Sequence, residues 1–142
     1  MRQVTIMRQG TITQSDRARL LVLLTRLRNW GDTPPDHLRA LEERLDTARV
    51  LKTGDIPSSV ITMNSLVGLR DLDLNEKFNC TLSYPDAADV VKHKVSVTAP
   101  LGNRMLGARE GDTIECPVVS GLRTLRVERV YYQPEAAQDF HL

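Results

Sequence analysis

The hydrophobic rhythm of the chain changes once, near Gly54–Ser59, from a helical period to a strand-like one. In the first part, Leu20, Leu24 and Leu27 recur at i, i+4 and i+7, with Leu21 and Leu23 widening the stripe. Thr13-Gln14-Ser15-Asp16 marks the start of this helix, with Thr13 as N-cap and Asp16 as an acid in the first turn. Asn29–Gly31 marks its end. A second seam, Leu38, Leu41, Leu45 and Ala48, repeats every three or four residues beneath a face of Arg39, Glu42, Glu43, Arg44 and Arg49. Thr33 is its expected cap and Pro34 its first helical position. Lys52 falls in its last turn, and Gly54 and Pro57 stop it. Two helices of about 15–18 residues, each about 25 Å long, joined by a turn of about five, make an antiparallel hairpin.

After the hinge, short runs are separated by turn residues, which predicts an antiparallel sheet of about six strands. The expected strands are Val60–Met63, Leu66–Leu74 with Gly68 marking a bulge, Phe78–Tyr84, Val91–Thr98, Thr113–Val119 and Leu122–Tyr132. Pro85–Asp89 is a loop or helical turn, and Ser120-Gly121 a hairpin turn. Ahead of the first helix, Val4, Ile6 and Ile12 are candidates for a short strand or docked arm. The stretch Ser96–Pro117, SVTAPLGNRMLGAREGDTIECP, organises the second part. Its Pro100 turn leads into one or two helical turns, Gly107 ends them as a left-handed cap, and Gly111-Asp112 starts the next strand. The fold class is α+β: a helical hairpin in residues 1–54 and a sheet domain with a short helix in residues 55–142.

Composition narrows the function. Hydrophobic residues at 41% suffice for a core, but aromatics at 4% make it a Leu, Val and Ile core. A net charge of +1 argues against binding nucleic acid by bulk electrostatics alone. No apolar run approaches the ~20 residues of a membrane span, and the N-terminus lacks a signal-peptide core. A cytoplasmic protein without membrane contact is expected. Cys80 and Cys116 have no metal spacing and read as two buried thiols rather than a disulfide. His37, His93 and His141 fall in separate elements, with His93 facing outward between two lysines. Gly102, Gly107 and Gly111 lack the lysine and spacing of a phosphate loop. No catalytic residue, metal site or cofactor is expected.

The segment APLGNRMLGAREGDTIECPV, with Leu125-Arg126-Val127 and Val130-Tyr131-Tyr132, resembles the C-terminal domain of the bacterial Gre transcript-cleavage factors. It looks closer still to the Gre-like regulators of nucleoside diphosphate kinase, the Rnk family. Thr62-Met63-Asn64-Ser65, Arg70-Asp71-Leu72, Leu82-Ser83-Tyr84-Pro85 and Tyr132–Ala137 continue the resemblance, which runs from about Val60 to the C-terminus. It implies an FKBP-like sheet domain that docks on RNA polymerase beside its secondary channel, with the hairpin projecting into the channel. Indirect contact with DNA or RNA in the elongation complex follows. The candidate docking residues are Pro100, Leu101 and Gly102 in the turn, and Gln133, Pro134, Glu135 and Phe140 in the tail.

At the hairpin tip, Asp32 and Asp36 are the residues a Gre-like cleavage factor would use to hold magnesium. They also have structural readings, as a turn former and a first-turn acid. Trp30, the single tryptophan, either plugs the open end of the seam or anchors a contact. The hairpin looks shorter than a Gre coiled coil, so the expected activity is competition with Gre factors without stimulated RNA cleavage. The alternatives are a cleavage stimulator using its acidic tip, and an FKBP-like peptidyl-prolyl isomerase built on Phe78, Tyr84, Tyr131, Tyr132 and Phe140.

Overall fold

The computed structural model describes residues 9–140, so Val4, Ile6 and His141 lie outside it. Strand β1 (Thr11–Thr13) leads into α1 (Gln14–Trp30), followed by α2 (Pro35–Thr47) and β2 (Arg49–Leu51). Then come β3 (Leu66–Asp71), β4 (Glu76–Ser83), β5 (Lys94–Ser96), α3 (Pro100–Met105), β6 (Thr113–Val118), β7 (Gly121–Tyr132) and α4 (Pro134–Ala137). The α+β class holds. β5-β4-β3-β7-β6 form a five-stranded sheet, and β1 and β2 form a separate parallel pair.

The first helix follows its signals. Thr13 caps it by accepting the Asp16 N–H at 3.0 Å, and Gly31 closes it with its N–H on the Leu27 carbonyl. The second helix departs from expectation at both ends. Pro34, not Thr33, is the N-cap, and Pro35 occupies the first turn. The ring of Pro35 disfavours helical geometry at the residue before it, so Pro34 is extended at φ −56°, ψ 138°. At its far end α2 stops at Thr47, well before Lys52. The Arg49 N–H donates to the Gly10 carbonyl at 2.8 Å, and Arg49–Leu51 pairs with β1 instead of continuing the helix. The second arm is therefore 13 residues long, about 20 Å, against 17 residues and about 25 Å for the first.

Three sheet expectations also change. Val60–Met63 is not a strand. Val60 makes a single bridge to Arg109, and Ile61 exchanges backbone hydrogen bonds with Gly107 and Ala108 while all four residues are buried. Val91–Thr98 shortens to Lys94–Ser96 because Asp89 Oδ1 accepts the N–H groups of Val91 and Lys92 and folds the chain into a turn. His93 lies in that turn with φ 55°, exposed but not on a strand. The sheet is mixed rather than antiparallel. Tyr84–His93 carries the chain back so that β5 enters beside β4 in parallel, Thr81 opposite Lys94. The bulge at Gly68 is present as a register shift against β7.

One core joins the two parts. Leu20, Leu24, Leu38, Leu41 and Leu45 from the hairpin are buried in the same cluster as Ile61, Met63, Val67, Leu69, Leu82, Met105 and Leu106. Gly102 is required where α3 crosses β5, since a Cβ there would stand 1.9 Å from the Ser96 carbonyl oxygen. Gly107 takes φ +82°, the left-handed conformation its place after α3 predicts. Cys80 and Cys116 are free and buried, and burial pushes the Cys80 thiol up to about 12.

Candidate functional site

The hairpin divides into a seated base and a bare tip. Its buried side chains run from Asp16 to Leu24 on α1 and from Leu38 to Leu45 on α2. From Arg28 to Asp36 every residue is exposed except the half-buried Thr33. The outer half of the hairpin therefore stands in solvent, its arms tied by the Arg28–Glu42 ion pair. Trp30 is 81% exposed, so it does not plug the seam. Asp32 and Asp36 are both exposed. Asp36 accepts from Arg39 at 3.3 Å and sits in the first turn of α2, where the helix dipole favours an acid. Arg26, Arg28 and Arg39 crowd the same end and dilute its negative charge.

The docking candidates do not form one exposed surface. Gly102 is buried against Ser96. Gln133 is buried too, its Nε2 donating to the Pro57 and Val60 carbonyls at 2.8 Å each. Its Oε1 accepts from the Ala136 N–H and caps α4, whose first residue, Pro134, is also buried. Glu135 accepts the Thr62 hydroxyl at 2.6 Å. Gln133, Pro134 and Glu135 hold the tail on the domain. Pro100 and Leu101 are half-buried, and Phe140 is 60% exposed.

Sequence reasoning missed the joint between hairpin and sheet. Arg44 looked like part of the solvated face, but it is buried. Its Nε donates to the Leu106 carbonyl at 3.0 Å and its Nη2 to the Arg104 carbonyl at 2.7 Å. Burial, then the charge of Arg104, pulls its pKa down to about 10. Asp16 does more than fill the first turn. Its Oδ2 accepts the Met63 N–H at 3.1 Å, across the joint. Burial is the main cause that pushes its carboxyl up to about 6, with Glu135 adding to it. The Tyr84 hydroxyl is buried beside this group, and its pKa rises to about 12 through burial and the Asp16 charge. A cleft of about 360 Å³ opens here, lined by Asp16, Arg19, Met63, Glu135, Asp139 and Phe140. An i, i+3 repeat shared by Leu38, Leu41 and Arg44 was the available signal for Arg44, and its charge hid it.

Among the described residues no group of three or more His, Cys, Asp or Glu side chains is placed to hold a metal ion. Tyr131 lines one cleft with Glu110 and Arg129, while Phe140 lines another, so these two aromatics do not build one proline pocket. No helix among the described residues is long and apolar enough to cross a membrane.

Comparison with known proteins agrees with this architecture. Residues 56–132 match the family described as "Transcription elongation factor, GreA/GreB, C-term". The "Regulator of nucleoside diphosphate kinase" of Escherichia coli K12 is 40% identical over 104 residues, covering 72% of this chain and 76% of that protein. "Transcription elongation factor GreA" of Syntrophotalea carbinolica is 30% identical over 95 residues, covering 67% of this chain and 60% of its own length. Among solved structures, the "Prokaryotic transcription elongation factor GreA/GreB from Nitrosomonas europaea" superposes with a TM-score of 0.72 at 36% identity, over 88% of this chain and 99% of that one. The family match alone takes in more than half of the sequence, and the chain belongs to the GreA/GreB transcription elongation factor family.

Proposed function

We propose that this protein binds RNA polymerase at the rim of the secondary channel and regulates elongation, competing with Gre factors without stimulating RNA cleavage. The observation that carries the reading is the hairpin: its base is seated in the core while residues 28–36 stand free in solvent. The reading divides the chain in two, with residues 1–54 as the probe and residues 55–142 as the docking domain. Docking uses the half-buried Pro100 and Leu101 and the exposed Phe140. Trp30 is the contact anchor at the tip. Gly102, Gln133, Pro134 and Glu135 shape that surface from within.

The absence of cleavage follows from reach and charge. The shorter arm of the probe is about 20 Å long. Magnesium–oxygen bonds are about 2.0–2.1 Å, so a tip that falls one helical turn short delivers no ligand. Asp36 is engaged by Arg39, which leaves Asp32 as the free tip carboxylate. The test has two arms. Polymerase core enzyme should retain this protein, and a Gre factor should displace it. Dinucleotide release from a stalled elongation complex should stay at the unstimulated level. Strong release that disappears in Asp32→Ala or Asp36→Ala would overturn the second arm and make these residues metal ligands.

A further inference from the structure

The sheet has two unlike faces. One carries Val67, Leu69, Cys80, Leu82, Leu125 and Val127 into the core. The other faces solvent, and its register sets Lys77 of β4 opposite Arg70 of β3, and Arg70 opposite Arg126 of β7. Adjacent strands lie about 4.8 Å apart, so three cations form a row about 10 Å long. Like charges directly opposite one another oppose strand pairing. Arg70 is ion-paired to Glu128 at 2.5 Å and donates a hydrogen bond to Asn75 Oδ1 at 2.8 Å. Lys77 and Arg126 flank the same Glu128, whose carboxyl is held below the usual range, first by the Arg70 hydrogen bond.

Next to this row lies a planar platform. Tyr131 is 53% exposed, and the Arg129 guanidinium stands 5.6 Å from its ring centroid. The ring crosses β3 at Gly68: a Cβ there would meet Tyr131 Cε2 at 2.7 Å and the Tyr131 hydroxyl at 3.2 Å. Asn79 closes the far side, with its Oδ1 at 3.3 Å from the same point. Lys94 lies opposite Thr81 at one edge of the face, and Glu115 opposite Thr124 at the other. Glu110 reaches in to accept the Val130 N–H. Five cations thus stand against Glu110, Glu115 and Glu128, on a chain whose net charge is only +1.

We infer that this outer sheet face binds single-stranded nucleic acid, without sequence preference. The cation row meets the phosphates, and the Tyr131–Arg129 platform stacks an unpaired base. Charge complementarity selects a polyanion. The exposed aromatic ring beside the row selects one with free planar bases over a duplex or an acidic polypeptide. Arg129 and Tyr131 share a cleft with Gln133 of the tail, but the titration below contains no polymerase, so either reading can fail without the other.

The experiment titrates the full chain against a fluorescein-labelled 12-mer of uridine and reads anisotropy between 50 and 200 mM salt, with no polymerase present. Contact of Lys77 and Arg126 with two phosphates gives a log–log salt slope of about −1.4. Lys77→Ala and Arg126→Ala should each weaken binding and reduce the slope by about 0.7. Tyr131→Leu should weaken binding about tenfold and leave the slope unchanged. Arg49→Ala, on the exposed β2 strand of the hairpin base, is the control and should change nothing. All four side chains are exposed, so melting curves should match the parent and exclude misfolding. Three results would overturn the inference: binding unaffected by the Lys77, Arg126 and Tyr131 variants, tighter binding of a duplex of equal length, or displacement by poly-glutamate as effective as by unlabelled oligonucleotide.

Discussion

Asp16 makes stability depend on pH in the direction opposite to a surface carboxylate. It is 4% exposed, and its carboxyl titrates at about 6 in the folded chain against 3.8 when free. Between these values the folded protein holds a proton that the unfolded chain has released. Stability from this group is therefore complete below about pH 4 and is lost as pH rises through about 6. The gap of about two pH units corresponds to about 3 kcal/mol, of which some 2–3 kcal/mol is lost between pH 4 and pH 7. Asp16→Asn removes the titration and keeps an oxygen for the Met63 N–H. It gives up an acid in the first turn of α1, worth about 0.3–1 kcal/mol. The variant should therefore be more stable than the parent at pH 7–8, by about 2 kcal/mol, and lose that advantage toward pH 4. Urea denaturation of both proteins at half-unit steps of pH measures this directly, because every other titrating group is common to the pair. Parallel stability profiles from pH 4 to pH 8 would show that Asp16 is not desolvated at the joint and would refute the reasoning.

Other perturbations test the packing. Gly102→Ala drives a methyl group into the Ser96 carbonyl and should cost about 3 kcal/mol in a urea melt; a cost under about 0.5 kcal/mol would mean that α3 can lift off β5. Arg44→Met strands the Leu106 and Arg104 carbonyls and should cost about 2–3 kcal/mol. Native hydrogen exchange should then show the hairpin amides losing more protection than those of β3 and β7. Trp30→Ala should leave the melt within about 0.5 kcal/mol of the parent while weakening retention on polymerase. Cys80 and Cys116 should resist Ellman's reagent in the native protein and react fully in urea, since both are buried.

Much of the hairpin was legible because its signals are local. Thr13, Asp16 and Gly31 set the bounds of α1 through hydrogen bonds within four residues of themselves. Gly107 and Gly111 took their positive φ values for the same reason, and the Gly68 bulge was marked by a glycine inside a strand. The errors fell where a distant partner outbid local preference. Arg49–Leu51 left the helix because β1 offered backbone hydrogen bonds from 38 residues away. Val60–Met63, with three β-branched residues in Val60, Ile61 and Thr62, gave up a ladder for contacts with Gly107 and Ala108. At the candidate site, exposure of Trp30 and burial of Gln133 could not be read from their identities, since both depend on what the rest of the chain brings near them.

By itself the sequence determined the α+β class, the turn from helical to strand rhythm, the caps and breaks, and the membership of a family. Those rest on stereochemistry and periodicity, which act over a few residues. Tertiary structure alone decided which polar residues are structural. Arg44 and Asp16 became the clasp between hairpin and sheet because two carbonyls and one amide, 47 to 62 residues away, needed partners inside a core where water cannot supply them.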